Sequence, residues 1–155
     1  LGATSPSTVA VMQRLASVLA AGDDPMEAEA LYRSALERSQ ATEGTNRHMT
    51  LTILEELAMF QQAQGKHRDA MLLLQEALGI YEKTMGPMEA NTLTTMHNLA
   101  KMTQAAGHTK DAEDLFRSVV DRYTESLGAD HTDTLTAEHN LASLLQVMGR
   151  EEEAE

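Results

Sequence analysis

The chain repeats itself every 42 residues, and this repetition constrains the fold more strongly than any local propensity. The segment 91–107, NTLTTMHNLAKMTQAAG, returns 42 residues later as DTLTAEHNLASLLQVMG. A weaker copy, MTLTILEELAMFQQAQG, lies 42 residues earlier, and the weakest copy surrounds Thr8. Self-similarity at a fixed period of roughly 20–50 residues is typical of stacked-repeat proteins. The sequence therefore predicts a repeat array, and it says more about architecture than about function.

Each period contains two apolar stripes at helical spacing with a glycine between them, which predicts two helices per repeat. We name the first helix of each repeat the A helix and the second the B helix. The A helices are predicted from residue 6 to near 22, and over about 49–64, 91–106 and 133–148. The B helices are predicted from residue 25 to before 44, and over about 67–85 and 109–127.

This pattern predicts one all-α array over residues 1–155, with repeat units of about 1–43, 44–85, 86–127 and an incomplete 128–155. Both ends of the sequence fall inside repeats. We therefore expect a fragment of a longer array.

Local signals support these helices. Ser5 and Asp24 each precede a proline and are predicted N-caps. The connectors carry glycine to end one helix and Asp or Thr to cap the next. Alanines recur where two helices must approach closely: Ala16, Ala58, Ala100 and Ala142 on the A helices, and Ala28, Ala70, Ala112 and Ala154 on the B helices.

The composition excludes several classes of function. A formal net charge of −12 argues against nucleic acid as a partner, and it favours basic partners. The chain has no cysteine, so neither disulfides nor thiolate metal sites are expected. No apolar run approaches the roughly 18 residues of a membrane span, so no membrane insertion is expected. No signal peptide is visible, which leaves the cytoplasm as the default compartment.

Two consecutive repeats carry a recognisable spacing of small and apolar residues. The residues are Leu57, Ala58, Gly65, Ala70, Leu74 and Ala77 in one repeat, and Leu99, Ala100, Gly107, Ala112, Phe116 and Val119 in the next. This spacing resembles the tetratricopeptide (TPR) signature, and the 42-residue period resembles the kinesin light chain and nephrocystin-like subclass. The resemblance implies a right-handed α-solenoid of stacked antiparallel helix pairs. It also implies that the A helices line a concave groove that holds an extended peptide.

Carried over by register, the resemblance assigns fifteen positions on the A helices to a partner-binding groove. They are Gln13, Arg14, Ser17, Glu55, Glu56, Met59, Gln62, His97, Asn98, Lys101, Gln104, His139, Asn140, Ser143 and Gln146. Asparagine amides there can bridge a ligand's backbone groups, or Asn98 and Asn140 can instead bond neighbouring A helices. The Trp-containing acidic peptides known for kinesin light chains match this groove poorly, because only Arg14 and Lys101 supply fixed positive charge. A basic or neutral peptide is as plausible as an acidic one.

The histidines at 97 and 139 occupy equivalent positions and suggest two chemistries. Neighbouring A helices are expected roughly 10 Å apart, and no third ligand accompanies the pair, so no metal site is expected. A groove tuned by pH is the better interpretation, because imidazoles titrate near neutrality. The sequence contains no phosphate-binding loop, nucleophile elbow or metalloprotease motif, so neither a catalytic residue nor a cofactor is expected.

These observations predict a protein-interaction scaffold or adaptor that presents its groove to a peptide or partner protein. The alternative is a structural or regulatory array, either docked as a subunit of a larger assembly or forming the sensor part of a signalling NTPase.

Overall fold

The computed structural model describes residues 5–22, 24–41 and 47–152, with side chains as far as Gly149. In these residues the chain forms seven α-helices and no strand. The helices are α1 (Pro6–Ala20), α2 (Pro25–Gln40), α3 (Arg47–Ala63), α4 (His67–Thr84), α5 (Ala90–Ala105), α6 (Thr109–Leu127) and α7 (Thr132–Glu152). The A helices are α1, α3, α5 and α7, and the B helices are α2, α4 and α6. The predicted all-α class is confirmed.

The chain divides into two compact units, Leu1–Ile80 and Tyr81–Glu155, with the boundary inside α4. In the first unit, α2 packs against both α1 and α3. Its core contains Val9 and Ala16 from α1, Ala28, Tyr32 and Ala35 from α2, and Ile53, Leu57 and Phe60 from α3. The rings of Tyr32 and Phe60 lie with their centroids 6.0 Å apart. Small residues at the helix crossing leave room for these larger side chains.

In the second unit, α6 packs against both α5 and α7. Ala100 from α5, Ala112 and Phe116 from α6, and Leu144 from α7 form a buried cluster. Of the alanines predicted at helix crossings, the six at 16, 28, 58, 70, 100 and 112 are buried. Alanines at these positions let the helix axes approach without displacing larger side chains. The same packing logic therefore applies within each unit.

The predicted helix starts and stops are mostly present. The Ser5 and Asp24 side chains accept hydrogen bonds from the backbone N–H groups of Thr8 and Glu27, at 3.2 and 3.1 Å. Gly107 adopts a positive φ of 86° after α5, and the N–H of the next residue bonds back across the helix end. Glycine reaches this conformation without the Cβ strain of other residues.

The connectors differ from the prediction that Asp or Thr side chains cap the following helix. The hydroxyls of Thr92 and Thr134 instead donate to the carbonyl oxygens of Gly86 and Gly128, each at 2.8 Å. These buried hydroxyls hold the preceding loop against the start of the helix. The carbonyl oxygen of Gly128 also accepts from the backbone N–H of His131 at 3.3 Å. At the start of α7, His131 Nδ1 accepts from the backbone N–H of Asp133 at 3.2 Å.

The prediction that the last A helix ends at Met148 is wrong. Helix α7 continues through Gly149 to Glu152, and Gly149 does not adopt a positive φ. Ala142, predicted to lie at a helix crossing, is exposed, and Ala154 lies outside the described residues. Gly107 lies after the end of α5, onto which α6 packs back, whereas Gly149 lies inside α7.

No helix in the described ranges is both long and apolar enough to cross a membrane.

Candidate functional site

In each unit a side-chain hydrogen bond joins the A helices at the same place in the repeat. In the first unit, Gln13 Nε2 of α1 donates to Glu56 Oε1 of α3 at 2.8 Å. In the second unit, His97 Nε2 of α5 and Asn140 Nδ2 of α7 lie 2.8 Å apart. Gln13 and His97 share one repeat position, and Glu56 and Asn140 share the next. Equivalent faces of successive A helices therefore lie side by side within each unit.

The predicted groove residues of the first unit fall into two groups. Arg14, Ser17, Met59 and Gln62 are exposed, and 69% of Met59 is open to solvent. The half-buried residues are Gln13, Glu55 and Glu56. The hydrogen bond between the two A helices therefore lies beneath a layer of accessible side chains.

The second unit has the same division. The exposed predicted residues are Asn98, Lys101, His139, Ser143 and Gln146. The half-buried ones are His97, Gln104 and Asn140. The interpretation in which the asparagine bonds a neighbouring A helix is confirmed for Asn140, whose partner is His97.

His97 is half-buried beside two aromatic rings. Its ring meets the edges of Phe116 and Tyr123, with centroids 6.0 and 6.2 Å away. Burial lowers the pKa of His97 below 6.5, the charge of Lys101 lowers it further, and Asp133 opposes both effects. The neutral imidazole that this favours can accept the amide proton of Asn140 at Nε2.

Neither His97 nor any other described residue belongs to a group of three His, Cys, Asp or Glu side chains arranged to hold a metal ion.

A cavity of about 340 Å³ opens between α1, α2 and α3. The predicted groove residues Ser17, Glu56 and Met59 line it. Tyr32 and Phe60 line it too, although neither was among the predicted groove residues. The remaining lining residues are Ala20, Ala21 and Ala63. A signal for this cavity was present in the sequence, because Ala20 and Ala21 stand at the C-terminal end of α1 and Ala63 at that of α3, where larger side chains would fill the space.

The two carboxylate oxygens of Glu56 differ in their hydrogen bonding. Its Oε1 atom accepts the hydrogen bond from Gln13, while its Oε2 atom is buried and has no hydrogen-bond partner among the described residues. Burial raises the pKa of the Tyr32 hydroxyl, and the negative charge of Glu56 raises it further. The hydroxyl of Ser17 lowers this pKa, and a weaker hydrogen-bonding interaction with the Glu56 carboxylate raises it. An acidic and a phenolic group therefore share one wall of the cavity.

Comparison with known proteins agrees with this geometry. The tetratricopeptide repeat family profile matches residues 8–83 and 91–155. A crystal structure of a kinesin light chain-like protein from Podosopora anserina with nearly identical TPR-like repeats is 30% identical and superimposes with a TM-score of 0.83. The match covers 99% of this chain and 73% of that one. A substituted form of the same protein gives 29% identity and a TM-score of 0.82 over the same shares of the two chains.

The fold is also shared with BtubC (BKLC) from P. vanneervenii, at 22% identity and a TM-score of 0.73. That match covers 92% of this chain and 56% of BtubC. No curated protein sequence matches the chain. The sequence profile and the similar structures together show that this chain belongs to the tetratricopeptide repeat family.

Proposed function

We propose that this protein is an adaptor that binds a peptide or an extended segment of a partner protein on its A-helix surface. The A-helix surface consists of the seven predicted positions on α1 and α3 in the first unit and the eight on α5 and α7 in the second, and each unit presents its own part of it. Tetratricopeptide repeats generally mediate protein–protein interactions, and the family is a non-catalytic scaffold. The observation that carries the proposal is the recurrence of one hydrogen bond between A helices in both units, Gln13 to Glu56 and His97 to Asn140.

These hydrogen bonds hold neighbouring A helices together, while the side chains next to the bonded residues stay accessible to a ligand. In the first unit Arg14 and Ser17 follow Gln13 on α1, and both are exposed. In the second unit Asn98 and Lys101 follow His97 on α5, and both are exposed. Side chains held on packed helices lose less conformational freedom on binding than side chains on loops. A preorganised row of polar groups suits the backbone of an extended ligand.

The exposed residues also supply adaptable apolar contact. Met59 is 69% exposed on α3, between the half-buried Glu56 and the exposed Gln62. Methionine is flexible and polarizable, and it is common on surfaces that accept more than one partner. Amide side chains such as those of Gln62 and Gln146 can donate and accept at the same time. The surface therefore offers contacts to both the backbone and the side chains of a ligand.

A second mode of action uses the B helices. Met26 on α2 is 83% exposed and Leu72 on α4 is 53% exposed, and both lie outside the A-helix surface. Exposed large apolar side chains favour association when they form a patch. In this alternative the repeats dock through their B helices as a subunit of a larger assembly.

Binding by surface variants separates these two modes. Peptides are selected against the 155-residue chain from a random display library, and their affinity is measured by fluorescence anisotropy. We expect Asn98→Ala with Lys101→Ala, and separately Met59→Ala, to weaken binding at least fivefold. The matched control on the B helices, Met26→Ser with Leu72→Ser, is expected to change affinity less than twofold. Loss of binding only in the B-helix control would refute the A-helix surface and support docking.

A further inference from the structure

We propose that the cavity between α1, α2 and α3 accepts one lysine or arginine side chain of the bound segment. This inference rests on the proposed function and specifies the kind of peptide that the first unit recognises. The cavity has about 340 Å³ of space and lies beside the predicted groove residues Ser17, Glu56 and Met59. That volume is near the lower end of the range for ligand clefts, which suits a single side chain better than a folded element.

The cavity wall combines apolar area with a single fixed charge. Ala20, Met59, Phe60 and Ala63 offer carbon surface, while the fixed charge on this described lining is the carboxylate of Glu56. Lysine and arginine side chains pack their aliphatic stems on apolar surface and keep the cationic head beside polar groups. An aspartate or glutamate in the same place would face Glu56 and be repelled. The chemistry therefore selects a cation.

The unsatisfied oxygen of Glu56 gives a second and independent reason. Its Oε2 atom is buried and lacks a hydrogen-bond partner among the described residues, while Gln13 occupies only Oε1. A buried acceptor without a donor is unfavourable, and a donor supplied by a ligand removes that cost. Glu56 lines the cavity but its Oε2 atom is covered, so we expect the carboxylate to reorient when the cation enters.

The overall charge acts in the same direction. The chain carries a formal net charge of −12, which raises the local concentration of basic peptides and speeds their association. The long-range contribution weakens as salt is added. The contact with the half-buried Glu56 is screened less, so it should persist at higher salt.

The test uses the display-selected peptides described above. In each peptide the lysine or arginine required for binding is replaced by norleucine, which keeps the aliphatic stem, or by glutamate. We expect norleucine to weaken binding to the wild-type chain about tenfold and glutamate to weaken it more, because charge-assisted hydrogen bonds are lost. In Glu56→Gln, which keeps an acceptor for Gln13, the lysine and norleucine peptides should bind within twofold of each other.

Glu125→Gln is the matched control, because it removes one exposed negative charge from α6 in the second unit. It should preserve the tenfold preference for lysine, and circular dichroism checks that every variant is folded. Equal binding of the lysine and norleucine peptides to the wild-type chain would overturn the cation pocket. The proposed function would still stand if Met59→Ala weakened the same peptides. A selection that yields no binding peptide would refute both.

Discussion

Replacing Ala100 by leucine can stabilise or destabilise the protein, and the sign depends on how closely α5 and α6 approach each other. Ala100 has no exposed surface and lies in a cluster with Ala112, Phe116 and Leu144. Replacement by leucine adds three carbon atoms. With open space beside Ala100, burying them would stabilise the protein by about 2.4 kcal/mol, at roughly 0.8 kcal/mol per carbon. In a filled crossing the same atoms displace their neighbours and cost roughly 1–3 kcal/mol.

We expect Ala100→Leu to be destabilising, because alanines stand on both sides of the crossing and Phe116 fills the remaining volume. For a chain of this length, each kcal/mol lowers the melting temperature by roughly 2–4 °C. Urea and thermal unfolding are followed by circular dichroism at 222 nm. The free energy of unfolding should fall by about 1–3 kcal/mol relative to the wild-type chain.

The repeat supplies a control at the equivalent position. Ala142 lies 42 residues after Ala100 and is exposed on α7. Ala142→Leu is expected to change the free energy of unfolding by less than about 0.5 kcal/mol, since exposed substitutions away from special features have small effects. An unchanged or raised stability in Ala100→Leu, or a greater loss in Ala142→Leu than in Ala100→Leu, would refute the packing described here.

Three further predictions concern single residues. Gly107→Ala should lower the free energy of unfolding by roughly 1–2 kcal/mol, because φ is 86° at this residue. Gly149→Ala should raise it by about 0.5–1 kcal/mol, because Gly149 is helical. Equal effects of the two substitutions in urea unfolding would contradict this difference. The pKa of His97 is lowered, so below pH 6.5 the unfolded chain binds that proton more readily. The free energy of unfolding should therefore decrease as the pH is lowered through that window. His97→Gln should make this decrease smaller when it is measured between pH 7.5 and 5.5. The hydrogen bond from Lys66 holds the pKa of Glu29 at about 2 against 4.5, so its contribution is complete above pH 4.5 and is lost toward pH 2. Because the ion pair lies at the surface, Glu29→Gln should cost no more than about 1 kcal/mol at pH 7, and an NMR titration midpoint of Glu29 near 4.5 would disprove the shift.

The helices were predictable where the sequence carries local signals. Helix α6 has the predicted bounds, Thr109–Leu127, because a glycine turn precedes it and another glycine ends it. Helix α7 was predicted less well, because Gly107 and Gly149 stand in equivalent sequences and adopt different conformations. The two copies are locally alike, so a local sequence does not distinguish the glycine that follows a helix from the one inside a helix.

The candidate site was predictable as a face but not as a set of contacts. The register placed Gln13, Glu56, His97 and Asn140 on the A helices, and each of them bonds a neighbouring A helix. Each hydrogen bond joins residues that are 43 positions apart, so each partner is one residue beyond the exact equivalent in the next 42-residue repeat. This offset depends on how neighbouring helices are rotated and shifted, which a one-dimensional repeat does not specify. The role of Tyr32 in the cavity was missed for the same reason, because it depends on the separation of α1 and α3.

Site-specific cross-linking tests the central claim, that partners bind on the A-helix surface, most directly. The chain has no cysteine, so a single introduced cysteine carries a benzophenone probe at one known place. The probe is placed at Met59 on α3 or at Leu72 on α4, both exposed, and the selected peptides are added before irradiation. Mass spectrometry should find the peptides attached to the probe at position 59 and not to the probe at position 72. Attachment only at position 72 would contradict the claim.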